Sequence, residues 1–438
     1  MSVESEELPR KYHQAVVRWQ ETFLPDLPFL LEHWDRYFPK DPCFCLCAKR
    51  QCDIPDCIEV GDLQGQPKFT RACQMDSRQA HQLVGAVRAQ ASTEFGSIQQ
   101  HRLTLARAQS EEDQFWVLRM MAEELRHGYQ MLHLLLNDDW KALVGKTGDD
   151  MVEEILSMQP GSHVLGAFNI DFDSFVDNVV FCALIDRVGK FQLTMQKVSA
   201  YRPMAESMPP MLREEAFHLA AGVVPLRRWV QQTADGGIFV TMDMIQKALD
   251  KWLPRGLEMF GHERGGGTNI RLGFKDKTNL EALQEYLKEV EKLVRDLNIR
   301  YLRARLPQAD PETIEAVQGR ILEENETVEG VRAEDLLTVP DVRFFRRRGM
   351  YAFQMVSRDG EPFQSLEEYK SHLARHLPES YLAGKDFKFY LDLLEQVVRG
   401  DVTAEEAARR TPALGRVGGA CPCSRAVRWV VEEPAPAV

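Results

Sequence analysis

No stretch of this 438-residue chain approaches the ~20 consecutive apolar residues that a membrane-spanning helix requires. The richest apolar patch, Leu134-Leu135-Leu136, runs straight into Asn137, Asp138 and Asp139. Positive charge is also short: 54 Lys and Arg stand against 66 Asp and Glu, a formal net charge of −12. That balance argues against a general nucleic-acid binder, whose affinity rests on phosphate neutralisation. The opening residues MSVESEELPRKY lack the basic-then-apolar order of a secretory signal, so a cytoplasmic protein is expected. There is no internal repeat and no low-complexity tract. Nine cysteines are too few, and odd in number, for a disulfide scaffold. What remains is ordinary globular material, 44% hydrophobic and 27% charged, long enough for two or three domains or one large domain with additions.

Periodicity divides the chain. Residues 1–75 read as an N-terminal extension ending in an irregular loop rich in Cys, Pro and Asp. Residues 76–236 are strongly helical, with apolar positions at three- and four-residue spacing over 77–107, 111–137, 171–201 and 206–233. Ser110 before Glu111, Glu112 and Asp113 reads as an N-cap with an acidic first turn. Met158-Gln159-Pro160-Gly161-Ser162 separates the first helix pair from the second, and Pro203 and Pro209-Pro210 are expected to punctuate the second pair. Two long pairs joined by a longer link predict a mainly α protein, a ferritin-like four-helix bundle with one crossover. Residues 237–330 read as accessory helices at 241–251, 278–298 and 311–325. Residues 331–438 read as a C-terminal extension: a short hairpin over 344–360 with Asp359-Gly360 as its turn, then helices near 365–376 and 386–399.

Two of the four long segments carry Glu-x-x-His: Glu124-Leu125-Arg126-His127 and Glu215-Ala216-Phe217-His218. Positions i and i+3 share a helical face, so each pair can aim a carboxylate and an imidazole at one point. The other two segments place an acid in small or apolar surroundings, at Glu94 and at Asp186. Glu94 precedes Glu124 by 30 residues and Asp186 precedes Glu215 by 29, so one helix–turn–helix unit recurs with its acids at matching depth. One carboxylate from each of two helices plus Glu-x-x-His from the other two is a dinuclear metal arrangement. Interior acids in that number repel one another unless cations lie between them. A single Glu-x-x-His is usually a solvated face; the doubled pattern is far more specific. Glu123 and Glu214, next to the ligand acids, could accept from the outer nitrogen of the opposite pair's imidazole, and Arg126 and Arg187 could pair with those outer acids. Gly96, Gly128, Gly189 and Phe217 are candidates to line a pocket there, with core packing as the bland reading.

The stretches Glu123–Gln130 (EELRHGYQ), Asp186–Leu193 (DRVGKFQL) and Glu214–Gly222 (EEAFHLAAG) resemble the phenylacetate-catabolism oxygenase family, with further similarity at Lys251-Trp252-Leu253-Pro254 and Met259-Phe260-Gly261. The resemblance covers about residues 75–300. Within the family the chain looks more like the longer branch that epoxidises benzoyl-CoA than the shorter phenylacetyl-CoA branch, by its length and by Asp rather than Glu at position 186. The resemblance implies two iron ions held by Glu94, Glu124, His127, Asp186, Glu215 and His218. It implies a monooxygenase that uses O2 to form the 2,3-epoxide of an aromatic acyl-CoA, with electrons from a separate NADPH-dependent flavin and iron–sulfur reductase. A related oxygenase on another aryl-CoA such as phenylacetyl-CoA, an iron-oxidising ferritin-like protein and a scaffold with a degenerate site stay open.

A CoA substrate would need cationic contacts for its phosphates. The candidates are Arg264, Lys275 and Lys277 around a Gly-rich loop, and Arg343, Arg346, Arg347 and Arg348, with a solvated surface as the alternative for the arginine run. Cys43, Cys45, Cys47, Cys52 and Cys57 lie within fifteen residues, and Cys421 and Cys423 sit near the other end. That density is compatible with structural zinc or an iron–sulfur centre tying the termini together, or with reduced thiols.

Overall fold

A computed structural model of the protein describes residues 3–41, 43–237, 239–261 and 267–411. The fold is mainly helical, a ferritin-like bundle with added helices. Four long helices form the bundle: α1 (Ser77–His101), α2 (Glu111–Leu136), α3 (Phe175–Gln196) and α4 (Arg202–Ala234). Their starts are set locally. Asp76 accepts from the amide of Gln79 and donates its own amide to the Gln79 side chain, a reciprocal cap on α1. Ser110 accepts from the Asp113 amide at the head of α2, where three acids face the positive end of the helix. The Asp177 carboxylate accepts from the Ser174 amide at the start of α3.

α1 packs on α2 and α3 on α4, and α2 crosses to α4. Two further helices, α5 (Met242–Glu258) and α6 (Asn279–Arg305), close over the second pair, α5 on α3 and α6 on α4 and α3. That enclosure explains why α3 is apolar nearly all round: most of its residues from Phe175 to Val188 have no face left for water. Between the pairs the chain forms a helix over Gly148–Leu156 and a short turn of helix over Gly166–Asn169, so the crossover is partly ordered secondary structure. At the N-terminus two strands, β1 (Val3–Glu6) and β2 (Ala48–Gln51), pair antiparallel with Val3 opposite Gln51, and β2 lies against α4 and α2. No helix among the described residues is long and apolar enough to cross a membrane.

Two expectations are corrected. Pro203, Pro209 and Pro210 do not break the fourth helix, which runs from Arg202 to Ala234 through them and through Pro225. Pro203 sits in the first turn, where its missing N–H has no helical partner to lose. Each interior proline costs roughly 3 kcal/mol in an isolated helix. Burial of Met204, Ala205, Met208 and Met211 along a helix that packs closely on α3 offsets that cost. Residues 344–360 are not a hairpin of strands either. The Asp359-Gly360 turn is present, flanked by an isolated bridge between Val356 and Pro362, but Phe345 and Phe353 adopt φ of 48° and 55°. That left-handed backbone is incompatible with a strand. Both rings are held against Tyr390, Phe345 edge-on at 4.8 Å and Phe353 stacked at 5.4 Å between centroids, which repays the backbone cost with aromatic packing.

Candidate metal centre

Six side chains from the four bundle helices converge in the interior: Glu94 from α1, Glu124 and His127 from α2, Asp186 from α3, Glu215 and His218 from α4. Three overlapping groups, His127–Glu215–His218, Glu94–Glu124–His127 and Glu124–Asp186–His218, each hold donor atoms within 4.8 Å of one another. All six residues are buried. His127 Nδ1 lies 3.8 Å from Glu94 and 3.7 Å from Glu215, and His218 Nδ1 lies 3.5 Å from Glu124 and 3.6 Å from Glu215. Two donors about 2.1 Å from a common ion sit about 3.0–3.4 Å apart at octahedral or tetrahedral angles, so these separations suit metal ligation after small adjustments.

The atoms left without a hydrogen-bond partner make the fit more specific. Glu124 Oε2, His127 Nδ1, Asp186 Oδ2, Glu215 Oε2 and His218 Nδ1 are buried and unpartnered. Orphaned buried polar atoms are rare and costly. Here they belong to five of the six converging residues, and the donor set of nitrogen and carboxylate oxygen suits iron, manganese or zinc.

The outer nitrogens face the other way. His127 Nε2 is 3.1 Å from Glu214 and His218 Nε2 is 3.3 Å from Glu123, so each helix pair supplies the acid that faces the other pair's imidazole. Arg126 pairs with Glu214 at 2.6 Å, and Lys49 on β2 reaches the same carboxylate at 3.2 Å. Arg119 bonds Glu123 at 3.1 Å. Arg187, expected to pair with an outer acid of the centre, instead pairs with Glu289 of α6 at 2.7 Å. It leaves α3 on the side that α6 covers.

Electrostatics in this pocket are those of too many acids in too little water. Burial, and then the nearby Glu94, pushes the Glu124 carboxyl well above its usual range. Burial also raises Asp186, to about 7, against the opposing pull of His218. For Glu94 the burial effect is outweighed by the neighbouring Glu124 and His127 and by the Gln90 amide, which hold it low. Burial disfavours imidazolium at His127, but the hydrogen bond to Glu214 and the nearby Glu94 carboxylate override it and raise the group to about 9. A metal must displace the protons held on Asp186 and His127, and those on Glu124 and His218, which are also held well above their usual range. Apparent affinity for a divalent ion is therefore expected to climb with pH from about 7 through at least about 9. The slope should be about tenfold per pH unit for each proton released. Competition titrations against a chelator at several pH values measure it, and a flat profile would contradict the proton inventory.

Beside the six residues lies a cavity of about 210 Å³. Leu165, Phe168, Ile185 and Met259 form apolar parts of its wall, and Glu94, Glu124, Asp186 and Glu215 line it as well. Gly189 leaves the approach to Glu215 open, since a Cβ there would stand 3.4 Å from Glu215 Oε1. Of the four residues proposed to line a pocket, only Gly189 does. Gly96 is pressed against Phe168 and His163, and Gly128 against the Phe95 ring. Phe217 packs at a tilt against Trp116, with the Arg119 guanidinium over its ring.

The cationic candidates separate as sharply. Arg346 and Arg347 are buried and face inward. Arg347 is held by Asp386 and Tyr381 between the rings of Phe345 and Tyr390. Neither presents charge to a solvated phosphate. Arg343 is paired with Asp341 at 2.8 Å, Lys277 with Glu285 at 2.9 Å, and Arg348 is half-buried. Arg264 lies outside the described residues. Lys275 lines the cavity itself. Among the cysteines, Cys43, Cys45 and Cys57 are exposed, Cys52 is half-buried and Cys47 buried. Among the described residues none of them belongs to a group of three potential metal ligands. Cys421 and Cys423 lie outside the described residues.

Sequence reasoning missed Gln90, which donates to Glu94, and Lys49, whose strand sits in a region without periodicity. It also missed Gln192 and Gln196 on the cavity wall. Those two carried a signal, because Asp186, Gly189, Gln192 and Gln196 follow one another at three, three and four residues along a single helical face.

A helical bundle with paired Glu-x-x-His and two further interior acids defines a carboxylate–histidine class of proteins. Over residues 70–313, more than half its length, the chain matches the family described as Phenylacetic acid catabolic protein, and it belongs to that family. It is also 33% identical over 150 residues to Benzoyl-CoA oxygenase component B of Aromatoleum evansii, a match covering 33% of this chain and 31% of that protein. The similar stretch thus spans about a third of that relative's length.

Proposed function

We propose that this protein is the oxygenase component of a two-component monooxygenase that epoxidises the ring of benzoyl-CoA, with two iron ions at the buried carboxylate–histidine centre and electrons from a separate NADPH-dependent flavin and iron–sulfur reductase. The observation that carries the reading is the convergence of six buried donors from four helices, with their unpartnered atoms, beside a cavity partly walled by apolar side chains. Family membership and the similarity to an oxygenase component support the reaction class. Glu94, Glu124, His127, Asp186, Glu215 and His218 would hold the ions. The chemistry supplied there when iron is bound is two-electron activation of O2.

The chain's own residues do the rest. Glu214 holds a proton on Nε2 of His127, so that Nδ1 lone pair points inward, and Glu123 faces Nε2 of His218 at 3.3 Å. Arg126 and Lys49 keep Glu214 charged, and Arg119 pairs with Glu123 at 3.1 Å. Leu165, Phe168 and Ile185 exclude water from the reacting face of the ring. Roughly 150 Å³ of apolar cavity is enough to admit benzene, so a space of about 210 Å³ suits an aryl ring. That cavity favours an organic substrate over simple iron oxidation.

The test is O2 consumption and product analysis with iron-loaded protein, a reductase of the stated type and NADPH, comparing benzoyl-CoA with phenylacetyl-CoA. Coupled turnover of benzoyl-CoA to an oxygenated thioester is expected. Turnover of phenylacetyl-CoA alone would shift the substrate within the family. Fe(II) oxidation with mineral growth and no acyl-CoA turnover would remove the oxygenase reading.

A further inference from the structure

The cavity beside the metal centre has a polar collar as well as apolar walls, and the collar is incompletely satisfied. Lys275 is only 8% exposed and, among the described residues, has no carboxylate within ion-pair distance. Its ammonium donates to Gln192 Oε1 at 2.7 Å and to Asn279 Oδ1 at 3.1 Å. An ammonium carries three protons, so one N–H is left over. Because lysine can only donate, the Gln192 oxygen must face it, which leaves Gln192 Nε2 turned away, buried and without a partner. Gln196, 6% exposed, likewise has an unpartnered amide atom, its Oε1. All four residues line the same cavity as Glu94, Asp186 and Glu215.

A buried ammonium without a counter-charge is expensive. Burial pulls Lys275 down to about 8. A structural lysine of the same protein is treated differently: Lys251, fully buried, sits on Asp173 and Asp177 at 2.9 and 3.2 Å. The collar therefore keeps two donors free, Lys275 N–H and Gln192 Nε2–H, and both suit a ligand oxygen. Their height is also informative. Gln192 lies six residues beyond Asp186 on α3, about 9 Å along the helix axis. An aromatic ring fits between that level and the metal-facing end.

We propose that Lys275 and Gln192 form the positioning site for the acyl oxygen of an aryl-acyl ligand, gripping its carbonyl so that the attached ring projects toward the metal centre. The assignment rests on the proposed function for the identity of the ligand and deepens it. A thioester carbonyl and a free aryl carboxylate share the recognised oxygen, and the test separates them.

The experiment is equilibrium binding to the full-length, iron-loaded protein, with three probes: benzoyl-CoA, its thioether analogue S-benzyl-CoA and benzoate. S-benzyl-CoA keeps ring, sulfur and CoA but lacks the acyl oxygen. Wild type is expected to prefer benzoyl-CoA over the thioether. Lys275→Met should weaken benzoyl-CoA by about tenfold to a hundredfold, in the range for a charged hydrogen bond, with thioether affinity unchanged. The same variant should melt at the same temperature as wild type or higher, because an uncompensated buried charge has been removed; a merely structural lysine would lower it. Gln192→Leu should erase the same preference and serves if Lys275→Met does not fold. Equal losses for both CoA ligands, or an intact preference in both variants, would overturn the positioning role while leaving the proposed function standing. Wild-type binding of benzoate but of neither CoA compound, lost in Lys275→Met, would keep the acyl-oxygen site and overturn the thioester reading of function. Binding of none of the three would overturn both.

Discussion

Glu124→Ala is expected to purify with at most one metal ion per chain and to lose essentially all oxygenase turnover. Glu124 belongs to two of the three donor groups, so its removal touches both proposed ion positions at once. The stability signature should be as diagnostic as the activity. In the metal-free protein Glu124 is a buried acid crowded by Glu94, Asp186 and Glu215, and deleting it relieves that crowding. The metal-free variant should therefore melt no lower than metal-free wild type, apart from the effect of a small cavity. What it should lose is the rise in melting temperature that a tightly bound ligand confers, ~4 kcal/mol at a thousandfold excess over Kd. Metal analysis and paired melts with and without Fe(II) measure both quantities. A variant that retains two ions per chain would dismiss Glu124 as a ligand.

Gly222→Val is expected to be severely damaging although it touches no charged group. A Cβ at position 222 would stand 2.8 Å from both Val179 O and Ala183 Cα, and would also collide with the Ala183 amide nitrogen. These are backbone atoms of α3, which cannot swing aside as a side chain can. Overpacking of a tight core costs about 1–3 kcal/mol and occasionally more, and valine adds two methyls beyond the Cβ. A loss of several kcal/mol is expected, read as a lower midpoint in a urea melt. Because α3 and α4 would be forced apart, Asp186 and Glu215 should separate, so metal affinity should fall as well. Gly222→Ala should show the same two effects at smaller size. A Gly222→Val protein with wild-type stability would mean that the helices do not meet as closely as described.

How much could be read in advance divides along a physical line. The bundle and the inward face of its helices follow from periodicity, which is local. Spacings of three and four residues place Glu124 with His127 and Glu215 with His218 wherever the helices later pack. Features set by distant partners were not readable. Arg347 looks like one of a run of surface arginines until Asp386, 39 residues later, folds beneath it. Lys275 arrives at the cavity from beyond the bundle, and Lys49 from a strand before it. The prolines of α4 misled because propensity describes an isolated helix, and this one is embraced on several sides.

The crossed clasp of the two imidazoles carries a consequence for assembly. Glu214 of the second hairpin faces His127 of the first, and Glu123 of the first faces His218 of the second. Each half thus holds the tool that orients the other, and neither half alone can present a correctly turned imidazole. Cobalt(II) colour in a refolding experiment would accordingly lag behind helical circular dichroism, and would mark the moment at which the two hairpins dock.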